Sequence, residues 1–504
     1  MDTKQEVKPA LKTRDLLKVL QKNPTLYQVN TRVWLTELSK ELGRPATLDD
    51  IPDSIFDRFA EQGFAWLYFL SVWQTGEAGR LISINHPGWK DGFLVDIPDL
   101  TDDDICGSGF AVSDYTLHKS FGKPDALLRL KERLNKRGLK LMLDLVPNHT
   151  AIDHHWVKSH PEFYVQGDQE SLAYAPQNFL KVGEQIFAHG RDPYFDGWPD
   201  TLQLNYGNPK FREAMFAEIS KIATTCDGLR CDMAMLILPD VFARTWSIDI
   251  EPFWPEAIAN VQKAHPGFAF MAEVYWDREW DLQQQGFDFT YDKRLYDRLR
   301  QNDARPVREH FWAATDYQQR SARFLENHDE PRAAGVFPPD QHKAAAILTF
   351  FSQGLRFLHQ GQFEGYRKRA SVHLQRKPSE DVDLDIQKFY NELVDCLKLP
   401  VVHNGVWKLL ECVRAWEDNW TAESFIAFSW TNENEKPVYV IVNYSSHQSQ
   451  CYVKVSPQAT ESADGKGLKD FEIRMSNGTD LKFIELTENG FFVDFPAWGY
   501  AVLV

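Results

Sequence analysis

The stretch NPKFREAMFAEISKIATTCDGLRCD (208–232) decides the fold. Asn208 is an N-cap residue by type, and Pro209 suits the first turn, where its missing N–H is no loss. Phe211, Met215, Ile219 and Ile222 then recur with a helical period, the stripe of a helix packed on one face. The GLRC that follows has no wet face and reads as a buried strand. Two flanking stretches repeat the plan. PDALLRLKERLNKRG (124–138) carries Leu127, Leu130 and Leu134 between Pro124 and Gly138 and runs into LKLMLDLV (139–146). PEAIANVQKAHPG (255–267) runs into FAFMAEVY (268–275).

Helix, short turn and buried strand, repeated with one hand, make a parallel sheet with helical crossovers. Further candidate strands at 27–35, 64–70, 286–291, 323–329 and 354–360 bring the count to eight. The expectation is an α/β fold, a (β/α)8 TIM barrel, whose chemistry sits at the C-terminal ends of its strands. Asp144, Asp232, Glu273 and Asp329 all fall at such ends. One acid there is commonly a helix cap or half of a loop ion pair. Four at equivalent ends point to a shared cleft.

The organisation has further parts. A polar lead-in occupies 1–24, and the barrel runs over 25–150 and 206–398. Between them lies a loop-rich insert, 151–205, dense in His, Tyr, Trp and Pro, of the length expected for a pocket wall. From 399 to 504 the texture changes to short alternating runs such as SFIAFSW, VYVIVNY and FFVDFPAWGYAVLV, which predict a C-terminal antiparallel β-sandwich. Its expected role is to brace the barrel's flank.

Composition narrows the function. The chain of 504 residues, 43% apolar with 16 Trp, can bury a large core. A formal charge of −16 argues against nucleic acid or an anionic membrane as partner. No run reaches membrane-spanning length, and MDTKQEVKPALK has no apolar h-region, so the expected setting is cytoplasmic. Cys106, Cys226, Cys231, Cys396, Cys412 and Cys451 lack metal-type spacing, and Cys226 and Cys231 read as small buried hydrophobes.

Four segments carry a family resemblance. DLVPNH (144–149), GLRCD (228–232), AEVYW (272–276) and ENHDEP (326–331) resemble, in order and at strands three, four, five and seven, the signature segments of the α-amylase superfamily of retaining glycoside hydrolases and transglycosidases. The insert after strand three and the terminal sandwich resemble that family's domains B and C. The resemblance implies a retaining glycosidase acting on α-glucosyl linkages, with an oligosaccharide or small α-glucoside as substrate. It implies Asp232 as nucleophile, Glu273 as acid/base and Asp329 as a third acid gripping sugar hydroxyls. His149 and His328 would donate to the sugar, with Asp144 beside them. Such chemistry needs one carboxylate to attack C1 and one carboxylic acid to protonate the leaving oxygen. Arg230, two residues before Asp232, shares its side of the strand and should favour the ionised nucleophile. Tyr275 and Trp276 offer Glu273 the apolar surroundings that raise a carboxyl pKa.

The departures from the family pattern matter as much. Starch-degrading members usually carry Lys-His after the nucleophile, whereas this chain has Met233, Ala234 and Met235. Chain-end-specific members often show an Asp and a Tyr where this chain has Gly107 and Phe110, which leaves Phe110 as a stacking platform without the polar lock. Asn148 matches a common calcium ligand, with only Asp153 and Asp168 as candidate partners, so no cofactor is expected to be required and Ca2+ is not predicted. The alternatives are a transglycosidase or isomerase on sucrose, trehalose or maltose, which would share the covalent intermediate, and a non-catalytic sugar-binding relative. A metal-dependent barrel hydrolase would draw on Asp144, His149, His328 and Asp329.

Overall fold

The computed structural model describes residues 22–455, 471–477 and 484–504, so most of the lead-in lies outside the described residues. Eight parallel strands close a barrel: β1 (Thr25–Asn30), β2 (Trp66–Leu70), β3 (Lys140–Leu145), β4 (Gly228–Cys231), β5 (Ala269–Ala272), β6 (Phe289–Tyr291), β7 (Ser321–Arg323) and β8 (Leu355–His359). Each pairs with its neighbours in chain order, and β8 closes onto β1. The stripe read from 208–232 is a helix over Pro209–Ala223, with Phe211, Met215, Ile219 and Ile222 buried. Asn208 caps it by accepting from the Lys210 and Phe211 amides.

Two strand readings need correction. The candidate strand 27–35 stops at Asn30, whose side chain accepts from the Val33 amide and starts a helix over Thr31–Leu42. The apolar run continued across that boundary because the helix buries Leu35 and Leu38 against the same core. The candidate strand 323–329 pairs only over Ser321–Arg323, and Phe324 to Asp329 form the loop above β7.

Register explains why the acids meet. Cys231 pairs with both Leu145 and Ala272, so Asp232 and Glu273, the next residues on adjacent strands, leave the barrel at one level. The ladder carries on past the strand ends: the Asp232 amide donates to Leu145 and the Glu273 amide to Cys231.

The loops above the barrel are long. After β2, Trp73–Thr75 pairs with Val112–Leu117, and between them stand two helices, Glu77–Asn85 and Pro87–Asp96. After β3, His149–Ala151 pairs with Thr201–Gln203 and brackets the intervening insert. Beyond the barrel, a five-stranded and a four-stranded antiparallel sheet face each other. The strand Phe425–Thr431 alternates between two cores: Ile426, Phe428 and Trp430 join the barrel's core, while Phe425 and Ala427 point to the second sheet.

Candidate active site

A cavity of about 290 Å³ opens at the C-terminal ends of the strands, and Asp232, Glu273 and Asp329 all line it. Arg230 organises the three. Fully buried at the end of β4, it sets Nη1 2.5 Å from Asp232 Oδ1 and Nη2 2.9 Å from Glu273 Oε2. The same Nη2 is 3.8 Å from Asp329 Oδ2. The guanidinium is itself held between aromatic faces, 5.2 Å from the Phe110 ring and 5.6 Å from that of Tyr291.

Beside its ion pair with Arg230, Glu273 accepts two hydrogen bonds, from the Met233 amide at 2.7 Å and the Tyr275 hydroxyl at 2.9 Å. Met233 adopts a left-handed backbone (φ +42°), an uncommon state for a side chain of its size, and its amide reaches the neighbouring carboxylate. The electrostatics separate the acids. Burial pushes the Glu273 carboxyl up to about 7, against the opposing pull of Arg230. Burial also raises Asp232, to about 6, again opposed by Arg230. Burial acts on Asp329 as well, but its side chain is 41% exposed to the cavity, and His328 Nε2 at 2.9 Å wins, holding it low at about 2. Burial thus favours the protonated form of Glu273, while Asp329 is held in its ionised form.

The other sequence candidates divide. His149 lines the cavity, its ring 5.0 Å from Trp198, and burial depresses its pKa to about 3, so it is a neutral imidazole. Phe110 lines it too and stacks on His328 at 5.2 Å. His328 stands behind that wall, its Nδ1 3.0 Å from Gln28 Nε2. Asp144 does not line the cavity. It is 1% exposed, and its two carboxylate oxygens accept from the Tyr68 hydroxyl and the Ser71 amide. Its work is to hold the turn after β2, where Ser71 sits at φ +60°.

The candidate calcium ligands do not form a set. Asn148 is fully buried with its side-chain oxygen accepting from Gln203 Nε2 at 3.0 Å. Asp168 caps a short helix by accepting from Ser171, and Asp153 accepts from the Ala78 amide. Among the described residues no three His, Cys, Asp or Glu side chains cluster as metal ligands. The residues present do not fit a hard-cation site, which wants several oxygens converging on one point.

Sequence reasoning missed six cavity-lining residues: Trp89, Ser108, Trp198, Asp200, Thr201 and His373. All come from the long loops after β2, β3 and β8, where no period marks a side chain as facing inward. The one available signal was Asp200, an acid inside the apolar stretch GWPDTLQL.

Comparison with known proteins agrees with this geometry. The family model for the alpha amylase catalytic domain matches residues 96–395. Alpha-amylase 3 of Dictyoglomus thermophilum is 25% identical over 308 residues, 56% of this chain and 59% of that protein. An alpha-glucosidase of Schizosaccharomyces pombe is 24% identical over 347 residues, with the same two coverages, 56% and 59%. The chain thus spans about three fifths of the length of these curated relatives. The crystal structure of a noncanonic maltogenic alpha-amylase AmyB from Thermotoga neapolitana superposes with a TM-score of 0.64 at 18% identity, covering 96% of this chain and 98% of that one. At that identity the likeness is one of fold.

Proposed function

Because the chain belongs to the α-amylase family, as the match over residues 96–395 establishes, we propose that it is a retaining glycosidase that cleaves α-glucosyl linkages. The observation that carries this reading is the single guanidinium shared by two carboxylates, Arg230 to Asp232 at 2.5 Å and to Glu273 at 2.9 Å. Two acids on one cation fit the short separation, about 5–5.5 Å, of a nucleophile and acid/base pair in double displacement.

The steps follow from the charge states. Asp232, mostly ionised at neutral pH, attacks the anomeric carbon as Glu273 passes its proton to the departing glycosidic oxygen, giving a glycosyl-aspartate and a free aglycone. Glu273, now a carboxylate, takes a proton from the incoming water or sugar hydroxyl, whose oxygen displaces Asp232 from the same carbon. Two inversions leave the configuration unchanged. Asp329, held ionised by His328, is placed to accept from sugar hydroxyls. The reading includes no required metal and a cytoplasmic setting. All six cysteines being free supports the latter, as does the acidic composition. No helix among the described residues is long and apolar enough to cross a membrane.

Transfer to a sugar acceptor is the second reading, favoured by one observation. Tyr194 from the insert meets Trp276, three residues past Glu273, edge to face at 4.9 Å, an aromatic rim suited to stacking a second sugar. Proton NMR of the anomeric region, with purified protein and a panel of α-linked sugars, tests both readings against Asp232→Asn. An α-anomer or new α-linkage appearing first, with the wild type only, supports retention, and the acceptor of the glucosyl group separates hydrolysis from transfer. A β-anomer as first product, or equal activity in Asp232→Asn, would sink the proposal.

A further inference from the structure

One wall of the cavity is built from loops on the side of the barrel away from Glu273, through Trp89, Ser108 and His373. The loop after β2 and the loop after β8 are clasped to each other. Arg376 binds Asp104 through Nε at 2.9 Å and Nη2 at 3.0 Å, and Asp99 through Nη1 at 3.0 Å. Ile105 and Leu374 form an antiparallel bridge, and the Cys106 amide donates to the His373 carbonyl at 2.8 Å. Phe93, Ile97, Ile105 and Leu374 make a small core of their own beneath the clasp. On its inner side Trp89 is stacked on His86 at 4.4 Å and lies 4.6 Å from the His373 ring, while His373 Nδ1 is 2.9 Å from Ser83 Oγ.

Barrel order gives this wall its meaning. β2 and β8 flank β1, and in a closed ring of eight the strand opposite β1 is β5, which carries Glu273. An acid that protonates the leaving oxygen must stand beside the aglycone. The aglycone therefore leaves on the Glu273 side, and the clasp stands on the opposite side, where the sugar bonded to Asp232 must fit. The cavity volume, about 290 Å³, lies just below the range of roughly 300–1,000 Å³ usual for ligand pockets.

The same side also holds an unused acceptor. Asp200, from the insert after β3, lines the cavity, is 3% exposed, and has Oδ2 without a hydrogen-bond partner. A Cβ built on Gly79, in the helix that carries Ser83, would be 3.8 Å from the Asp200 Cβ, so this acid packs against the clasp itself. A buried carboxylate oxygen without a partner is costly and is retained where a ligand supplies the donor. Gly107 cannot host a competing side chain: its φ is +80°, and a Cβ there would come 2.9 Å from the Arg80 amide.

We infer that the pocket takes a single glycosyl residue, end first, with Asp200 accepting from a hydroxyl of its non-reducing end and the clasp around Trp89 and His373 excluding any further sugar on that side. The substrate class is then a disaccharide or short α-glucoside attacked at its terminal unit. This rests on the proposed glycosidase activity, and the test keeps the two apart. Maltose, maltotriose and a nitrophenyl maltoheptaoside blocked at its non-reducing end with an ethylidene group are given to the wild type, Asp200→Asn, Trp89→Ala and Arg376→Gln.

The wild type should release glucose from the free-ended sugars and leave the blocked one uncut, at a rate at least 100-fold lower. Cleavage of the blocked heptaoside at a comparable rate overturns the exclusion of further sugar while the glycosidase reading survives. No cleavage of any α-glucoside overturns both. Asp200→Asn should raise KM for maltose at least 10-fold with a smaller change in kcat, and an unchanged KM overturns its assignment. Trp89→Ala should gain activity on the blocked substrate. Arg376→Gln, which loosens the clasp without touching the cavity lining, should gain it to a lesser degree. Folded variants with no gain would overturn the role of the wall.

Discussion

Arg230 and Glu273 face each other from adjacent strands, Nη2 to Oε2 at 2.9 Å, while the other amine of the same guanidinium holds Asp232. One buried cation thus opposes the burial that raises the pKa of both reacting carboxyls. Arg230→Gln keeps a polar group of lesser reach but removes the charge. The expected outcome is a kcat lower by about 10²-fold or more, the scale of losing one preorganised electrostatic group, with the acid limb of the pH profile moved up. An unshifted acid limb in steady-state kinetics would separate Arg230 from the tuning of Asp232.

The pH profile of the native protein follows from the same pair. Turnover needs Asp232 ionised, so activity rises through its raised pKa near 6. It also needs Glu273 protonated, so activity falls through a pKa near 7. The expected kcat/KM curve is a bell whose limbs belong to the coupled pair and lie above the ordinary carboxylate range. Glu273→Gln should lose the basic limb and about 10²–10⁴-fold in kcat/KM on a natural leaving group. The loss in kcat/KM should be much less on a nitrophenolate, which departs without a proton, while kcat stays low because the second step still lacks its base. A basic limb that persists in this variant would assign the acid elsewhere.

Much of this site was legible because strand ends are legible. Pro209, the stripe through Phe211 and Ile222, and GLRC put Asp232 at a strand terminus, and equal spacing did the same for Glu273. Partners across the cleft were harder. Asp144 sits at an equivalent strand end, yet the Tyr68 hydroxyl and Ser71 amide consume its carboxylate, and only the turn at Ser71 reveals that. Trp89, Asp200 and His373 belong to loops whose meeting depends on Arg376 reaching Asp99 and Asp104, some 270 residues away in the chain. No local period encodes such a contact.

Asn148 is spoken for by Gln203, and this predicts how the protein answers a chelator. Dialysis against EDTA should leave both activity and Tm unchanged, because the Asn148 side-chain oxygen already accepts from Gln203 at 3.0 Å. Full loss of activity, restored by Ca2+ alone, would contradict that reading. Gln203→Ala strips Asn148 of its donor in a fully buried setting, at a cost of about 1–3 kcal/mol in chemical denaturation.

The sandwich is joined to the barrel by a buried polar contact inside an apolar interface. Trp430 is 1% exposed, its indole N–H donates to the Phe351 carbonyl at 2.7 Å, and the Arg356 guanidinium lies 5.9 Å from its ring. Phe351 and Arg356 flank the start of β8, whose far end leads into the loop carrying His373. Trp430→Ala removes a large side chain from the shared core and leaves the Phe351 carbonyl without that donor, so a loss of about 3–5 kcal/mol is expected. Trp430→Phe fills most of the volume and forfeits the hydrogen bond alone, about 1 kcal/mol. If the sandwich only rides on the barrel, calorimetry of Trp430→Ala would instead resolve two transitions, with the barrel's unmoved. A single transition shifted to lower temperature is the expected result, because the Ile426, Phe428 and Trp430 face belongs to the same continuous core as the eight strands.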